Sequence, residues 1–168
     1  MFARCVVAAC LLTAWPAAAE PNITSKDGDD TARVRNGDAA MTAAKQKARA
    51  GLKDFLALAD HPRDGMRNFS VKIGLPVGGN DYEFIWIRPF ERDGERFVGR
   101  LVNTPRHFTN IKYGDRLIFH EKDIADWSYI EGDRTIGNFT ACAIVANEPP
   151  KARQAFMQRY RLSCEFSH

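Results

Sequence analysis

The stretch FSVKIGLPVGGNDYEFIWIR, residues 69–88, contains two β-strand patterns separated by one turn. Apolar residues alternate with polar or small ones over residues 69–77, which is the period-two pattern of a half-buried strand. Residues 78–81 are Gly-Gly-Asn-Asp, a composition typical of a turn. Residues 82–88 are apolar on both faces, as expected for a central strand. The stretch therefore predicts an antiparallel hairpin at the centre of a sheet.

Further strands are predicted after this hairpin. Asp93-Gly94 accepts the positive φ angles of a two-residue turn, so residues 96–102 are expected to return as a third antiparallel strand. Two more apolar runs follow at residues 117–119 and 124–130, and each is bounded by turn residues. The sheet is therefore expected to be curved and to contain five or six strands.

One long helix is predicted before the sheet. Asp38 is a suitable N-cap, and apolar residues recur at three- and four-residue steps from Met41 to Ala59. Pro62 ends the pattern, and Pro149-Pro150 suits the first turn of a short C-terminal helix. The expected fold class is α+β, with a curved antiparallel sheet of five to six strands packed by the N-terminal helix and followed by a short C-terminal helical segment.

The first residues have the three parts of a secretory signal peptide. Arg4 supplies the positive charge, an apolar run of about eleven residues is too short to span a bilayer, and Ala17 to Ala19 form a small-residue cleavage site. A lipoprotein signal ending at Cys10 is the alternative. We expect cleavage after Ala19, a periplasmic or secreted protein without a transmembrane segment, and a polar, flexible leader at residues 20–37.

The composition and charge of the chain indicate which classes of function to expect. The chain has 168 residues with a net charge of +3, and its basic residues are scattered rather than clustered, so it is not expected to bind nucleic acid. Removal of residues 1–19 leaves two cysteines, Cys142 and Cys164, which an oxidising compartment would pair as a disulfide. A metal site and a reactive thiol are the alternatives for this pair.

The segment at residues 124–130 places a carboxylate where an apolar side chain is expected. If Ile124 and Ile130 face the core, strict alternation puts Asp126 on the same face and Trp127 with Tyr129 on the other. A buried carboxylate must be paired or hydrogen-bonded. Asp126 therefore either accepts backbone N–H groups from the preceding loop or pairs with an arginine such as Arg116, or it lines a binding groove with Trp127 and Tyr129.

A family resemblance is concentrated around this segment. The matching pattern consists of GRLVNTP at residues 99–105, Gly114-Asp115, IADWSY at residues 124–129, and then Gly132, Gly137 and Thr140. The chain resembles the YegJ-like family, domain of unknown function 2314, over residues 38–146, which leaves residues 147–168 as a separate C-terminal helix. The resemblance implies the α+β fold and makes Asp126-Trp127 a signature of the domain, and it implies no activity.

No spacing of a known catalytic or metal-binding motif occurs, so no catalytic residue, metal or cofactor is predicted. A zinc site built from His107 and His120 with Asp115 or Glu121 is a weaker possibility. Among the aromatic residues that could stack on a sugar or a peptide, Tyr82 and Trp86 are interpreted as core.

Two functional hypotheses follow. The first is a non-enzymatic exported domain that binds an unknown protein or small envelope ligand through Asp126, Trp127, Tyr129 and Asp115. The alternative is an envelope hydrolase that uses Asp126 and a second carboxylate from Asp115, Glu121 or Asp123.

Overall fold

The computed structural model describes residues 38–79 and 81–165, together with the backbone of two short segments before them. These segments, β1 (Ile23–Lys26) and β2 (Asp29–Ala32), pair antiparallel as a separate two-stranded sheet within the predicted leader. The predicted signal peptide, residues 1–19, lies outside the described residues.

Helix α1 (Ala39–Asp60) begins and ends where the sequence predicts. The Asp38 carboxylate caps it by accepting a hydrogen bond of 2.8 Å from the backbone N–H of Met41. One stripe of the helix is buried and consists of Ala44, Ala48, Leu52, Phe55 and Leu56. The three- and four-residue spacing of the sequence therefore corresponds to the face that packs into the core.

The main sheet is open and antiparallel, and it has six strands. These are β3 (Met66–Gly78), β4 (Asp81–Asp93), β5 (Arg96–Leu101), β6 (Arg116–His120), β7 (Ile124–Glu131) and β8 (Arg134–Gly137). Their spatial order is β6-β5-β4-β3-β7-β8, so the meander β3 to β6 is extended on its other side by β7 pairing with β3. The predicted α+β class, with five to six strands, is confirmed.

Two helices follow the sheet. Helix α2 (Phe139–Ala146) contacts both α1 and β7, and helix α3 (Pro150–Tyr160) contacts α2. The Cys142 and Cys164 sulfurs lie 2.01 Å apart, which is disulfide distance, and they link α2 to the segment after α3. Thr135 of β8 adds a hydrogen bond of 2.9 Å from its N–H to the carbonyl of Arg161. The C-terminal helix is therefore attached to the domain at both of these points.

The core is centred on aromatic side chains beneath α1. Phe55 stacks on Trp127 with ring centroids 4.8 Å apart, and Phe69 stacks on Tyr129 at 5.1 Å. Phe90 lies 6.1 Å from Phe55 and continues this cluster toward β5. These rings bury large apolar areas, so α1 and the sheet form one continuous core.

Strand β7 contains an irregularity that changes which side chains share a face. Ile124 pairs with Ile73, whereas Asp126 pairs with Lys72, so Ala125 is an extra residue in β7. Neighbouring residues of β3 point to opposite faces, and therefore Ile124 and Asp126 do as well. The prediction from strict alternation that Ile124 and Asp126 share a face is wrong, because the bulge inserts one residue between them.

Candidate functional site

The Asp126 carboxylate is completely buried, with an exposed fraction of 0%. Its Oδ1 accepts hydrogen bonds from the backbone N–H groups of Trp127 (2.8 Å) and Phe139 (3.3 Å). Its Oδ2 accepts from the backbone N–H of Thr140 (2.8 Å) and from the Thr140 hydroxyl (2.5 Å). Four donors therefore surround the carboxylate and replace the hydration that burial removes. They come from Trp127 and from residues 139–140, so the prediction that the preceding loop supplies the donors is wrong.

Asp126 takes the place of the N-cap of α2. Asn138 occupies the cap position with a left-handed φ of 56°, but its side chain makes no capping hydrogen bond. Its buried Oδ1 has no hydrogen-bond partner among the described residues. The first two N–H groups of the helix, from Phe139 and Thr140, bond to Asp126 instead. A negative charge at this end of a helix also interacts favourably with the helix dipole.

Lys72 is connected to Asp126 through Thr140. The Lys72 Nζ donates to the Thr140 Oγ1 at 2.6 Å, and the same hydroxyl donates to Asp126. Burial lowers the pKa of Lys72, the Asp126 carboxylate opposes this by raising it, and nearby Lys45 lowers it further. The three side chains form a polar network that is buried at Asp126 and Thr140 and half-buried at Lys72, and Thr140 separates the two charges.

Trp127 and Tyr129 do not reach the surface. Each is 7% exposed, and the indole N–H of Trp127 donates to the Ala48 carbonyl of α1 at 2.8 Å. Glycine makes room for the indole on two sides: a Cβ on Gly51 would lie 2.9 Å from its Cζ2, and a Cβ on Gly137 would lie 2.7 Å from its Cε3. Burial, followed by the charge of Glu131, raises the pKa of Tyr129. These two rings therefore belong to the core.

The other carboxylates of the hydrolase hypothesis hold separate turns. Asp115 Oδ2 accepts from the N–H of Lys112 at 2.9 Å, and Asp123 Oδ2 accepts from the N–H of His120 at 2.8 Å. Glu121 offers its backbone carbonyl to Arg49 at 3.0 Å. The Asp115 and Asp123 carboxylates therefore each accept a hydrogen bond from their own turn, Glu121 contacts Arg49 through its backbone, and Asp126 is completely buried.

Two other predicted contacts are replaced by different ones. Arg116, considered as a partner of Asp126, instead pairs with Glu91 at 3.1 Å, so that suggestion is wrong. His107 lies 3.4 Å from Glu83, and His120 lies beside Asp123. Within the described part of the chain, no group of three or more His, Cys, Asp or Glu side chains is arranged to hold a metal ion.

Two exposed aromatic residues lie side by side elsewhere, on one face of the β3–β4 hairpin. Tyr82 is 56% exposed and Phe84 37% exposed, so the interpretation of Tyr82 as a core residue is wrong. Their rings lie 6.4 Å apart over Gly74, where a Cβ would meet Phe84 at 3.0 Å and Tyr82 at 3.3 Å. Half-buried Trp86 continues the row. We call Tyr82, Phe84 and Trp86 the aromatic face.

Two lysines flank the aromatic face. The Nζ of Lys45 lies 4.5 Å from the centroid of Phe84, and the Nζ of Lys72 lies 4.7 Å from the centroid of Trp86. Both distances are typical of cation–π contacts. Alternation of aromatic residues in YEFIW is visible in the sequence, but the position of Lys72 beside Trp86 depends on the pairing of β3 with β4. Sequence reasoning therefore missed the combination of aromatic and basic groups.

Comparison with known proteins identifies the family. The model of the family described as "Uncharacterized protein conserved in bacteria (DUF2314)" matches residues 38–163. The chain belongs to the DUF2314 family. The match continues past the predicted boundary at Ala146 and includes α3, so this helix lies within the matched region.

One curated relative is "Uncharacterized protein YegJ" of Escherichia coli strain K12. It is 27% identical over 110 residues, which cover 66% of this chain and 70% of the relative. No solved structure matches the chain. Among the described residues, none of the helices combines the length and apolar character needed to cross a membrane.

Proposed function

We propose that this DUF2314 protein is an exported, non-enzymatic binding domain whose binding surface is the aromatic face. Export is supported by the signal-peptide features of residues 1–19 and by the disulfide-distance pair Cys142 and Cys164. N-terminal sequencing of the protein from the periplasm or culture medium tests export, and the expected first residue is Glu20. A chain that retains Met1 in the cytoplasm would contradict it.

The observation that carries the binding role is the exposure of Tyr82 and Phe84 on a regular strand. Large apolar side chains that could have been buried in the core are instead exposed side by side. Tyrosine and tryptophan are enriched in protein interfaces because their rings supply large contact areas at a small cost in conformational entropy. The aromatic face therefore replaces Asp126, Trp127 and Tyr129 as the proposed contact surface.

The charge around the aromatic face favours an acidic partner. The Nζ atoms of Lys45 and Lys72 lie 4.5 Å and 4.7 Å from the centroids of Phe84 and Trp86, so two cations border the same surface. Burial is the main cause of the lowered pKa of Lys72, Asp126 opposes it, and the repulsion from Lys45 adds to it. A carboxylate placed between them would relieve this repulsion while its neighbouring apolar groups cover Tyr82 and Phe84. We therefore propose an acidic segment of another envelope protein as the partner.

A random copolymer of glutamate and tyrosine is a suitable probe. Isothermal titration calorimetry should show saturable binding by the purified protein, and the emission of Trp86 should change because it lies at the edge of the surface. Replacing both aromatic residues in Tyr82→Ser/Phe84→Ser should weaken binding by about tenfold or more, as loss of interface aromatics does.

Tyr113→Ser is the matched control, since Tyr113 is 66% exposed and lies outside the aromatic face. Its binding should equal that of the wild-type protein. The proposed surface would be contradicted if the wild-type protein showed no saturable binding. It would also be contradicted if the control and the double variant lost the same amount of affinity.

A further inference from the structure

A groove of about 790 Å³ lies between the turn that joins β7 to β8 and helix α3. It is separate from the aromatic face and from the buried network around Asp126. Arg134 lines one wall, whereas Arg153 and Arg161 line the other, and Met157 and Leu162 contribute apolar surface. Its size is within the usual range of small-ligand sites. We call it the arginine groove.

The arginine groove carries an excess of positive charge. Three arginine residues line it, and Asp133 is the one acidic residue among those that line it. Among the residues that the structure describes, Arg134 and Arg161 form no ion pair with a carboxylate. Guanidinium groups match the geometry of phosphate oxygens and bind them through paired hydrogen bonds.

Arg161 adopts a backbone conformation that glycine would adopt more easily. It ends α3 with a φ of 54°, at the position where glycine is usual in this type of helix ending. The N–H of Leu162 bonds to the Met157 carbonyl at 2.9 Å, and that of Arg161 bonds to the Gln158 carbonyl at 3.3 Å. A left-handed arginine is therefore present where the helix ending alone would favour glycine.

The backbone that carries Arg161 is held against β8. The N–H of Thr135 donates to the Arg161 carbonyl at 2.9 Å, and the Thr135 hydroxyl donates to the Tyr160 carbonyl at 2.8 Å. The bond between Cys142 and Cys164 attaches the following residues to α2. Hydrogen bonds therefore join the backbone next to Arg134 to the backbone of Arg161 in the free protein, which reduces the entropic cost of bringing the two walls together around a ligand.

We propose that the arginine groove binds a phosphate-bearing ligand, with Arg134 and Arg161 contacting the phosphate oxygens from opposite walls. Gln154, Gln158 and Ser163 also line the groove and supply neutral hydrogen-bonding groups. The phosphate group could belong to a soluble phosphoester or to a lipid headgroup, and both present the same oxyanion to the arginines.

Inorganic pyrophosphate is the soluble probe, titrated into the full protein by calorimetry at constant ionic strength because arginine–phosphate contacts are screened by salt. Arg161→Gly removes one guanidinium and also relieves the left-handed strain. We expect its pyrophosphate affinity to fall by about tenfold while its Tm stays equal or rises. A loss of binding together with gained stability cannot result from unfolding.

Lys151→Gln is the matched control, because it removes one positive charge from an exposed residue of α3 that does not line the groove. Its affinity should remain within about twofold of the wild type, as expected for a weak, screened charge effect. Sedimentation with phosphatidic acid vesicles, compared with phosphatidylcholine vesicles, provides the lipid arm. Binding to the vesicles but not to pyrophosphate would assign the ligand to a lipid headgroup.

Two results would overturn the proposal. One is the absence of saturable binding to both pyrophosphate and phosphatidic acid vesicles. The other is an equal affinity of the Arg161→Gly and wild-type proteins for the phosphate probe, since the guanidinium would then have no part in recognition.

Discussion

At the scale of single residues, Asp126 shows how a carboxylate can be buried when both of its oxygens are hydrogen-bonded. Its two oxygens accept four hydrogen bonds, two of them from the first N–H groups of α2. Burying an unpaired carboxylate would be expensive, but these donors and the nearby Lys72 offset the lost hydration. The structural interpretation of Asp126 therefore accounts for its position without a ligand.

Asp126→Asn should lower the free energy of unfolding by about 3 kcal/mol, because buried donors would lose the charged acceptor that satisfies them. The side-chain amide of the new asparagine would place its NH2 group where one Asp126 oxygen now accepts hydrogen bonds, so donors would face donors. Lys72 would also lose the nearby negative charge. Urea denaturation of the variant and wild type measures the change. Asp133→Asn, at an exposed position, is the control and should change stability little. An unchanged value for Asp126→Asn would contradict the capping role.

Lys72, which is linked to Asp126 through Thr140, predicts that the stability of the protein depends on pH. Burial lowers the pKa of Lys72 in the folded protein below its ordinary value of 10.5, so the unfolded chain binds more protons than the folded protein between the folded pKa and 10.5. The contribution of Lys72 to stability is therefore present above pH 10.5 and is lost as the pH falls through the folded pKa. Lys72→Met removes this titration.

The difference in free energy of unfolding between wild type and Lys72→Met should accordingly rise as the pH increases toward 10.5. Burial raises the pKa of Tyr129, but Tyr129 is present in both proteins and its titration cancels in the difference. Urea denaturation at a series of pH values measures the slope. A difference independent of pH would show that Lys72 keeps its ordinary pKa in the folded protein.

At the scale of elements, the contact between α1 and β7 depends on close approach at Gly51. Alanine would favour the helix by about 1 kcal/mol through its propensity. However, its Cβ would lie 2.9 Å from Trp127, and that ring is held by Phe55 and by the Ala48 carbonyl. The Trp127 ring therefore cannot easily move away from the added methyl group.

Gly51→Ala should therefore lower the Tm, with a loss of about 1–3 kcal/mol in the free energy of unfolding, as in other overpacked cores. Ala50→Gly, at an exposed position of the same helix, is the control for propensity and should lose about 1 kcal/mol. A more stable Gly51→Ala variant would show that the ring can move.

The connection between β5 and β6 is also held by specific polar contacts. Asn103 accepts a hydrogen bond of 2.7 Å from the N–H of Trp86. Glu83 accepts from the N–H groups of Arg106 (2.6 Å) and His107 (3.0 Å). The GRLVNTP segment at residues 99–105 therefore has a structural role, because it anchors this loop to β4.

At the scale of the whole molecule, the Cys142–Cys164 link secures a helix that contributes little to the core. None of the described residues of α3 is buried, and the bond closes a segment with a sequence separation of 22. In the double variant Cys142→Ser/Cys164→Ser, the free energy of unfolding should be lower by about 3 kcal/mol, as the loss of loop closure in the unfolded chain predicts.

Thermal unfolding with and without a reducing agent measures this contribution. Reduction should lower the Tm of the wild type and leave that of the double variant unchanged. Limited proteolysis should then cut α3 before the sheet, since its remaining contacts are few. Equal Tm values for the reduced and oxidised wild type would contradict a stabilising bond.

Local sequence signals determined most of the elements of this protein. The N-cap at Asp38, the spacing of apolar residues in α1 and the turn residues between strands act over a few positions, so helix and strand positions followed from them. The same local rules failed at β7, because the extra residue at Ala125 becomes evident only when β7 pairs with β3.

The tertiary structure alone decided what the polar and aromatic residues do. The donors of Asp126 come from Trp127 and from residues 139–140, and their approach depends on where α2 packs. Trp127 is buried because α1 covers it, whereas Tyr82 stays exposed on the β3–β4 hairpin. Burial is a property of neighbours that are distant in the chain, so the alternation of residues within one strand could not assign these roles.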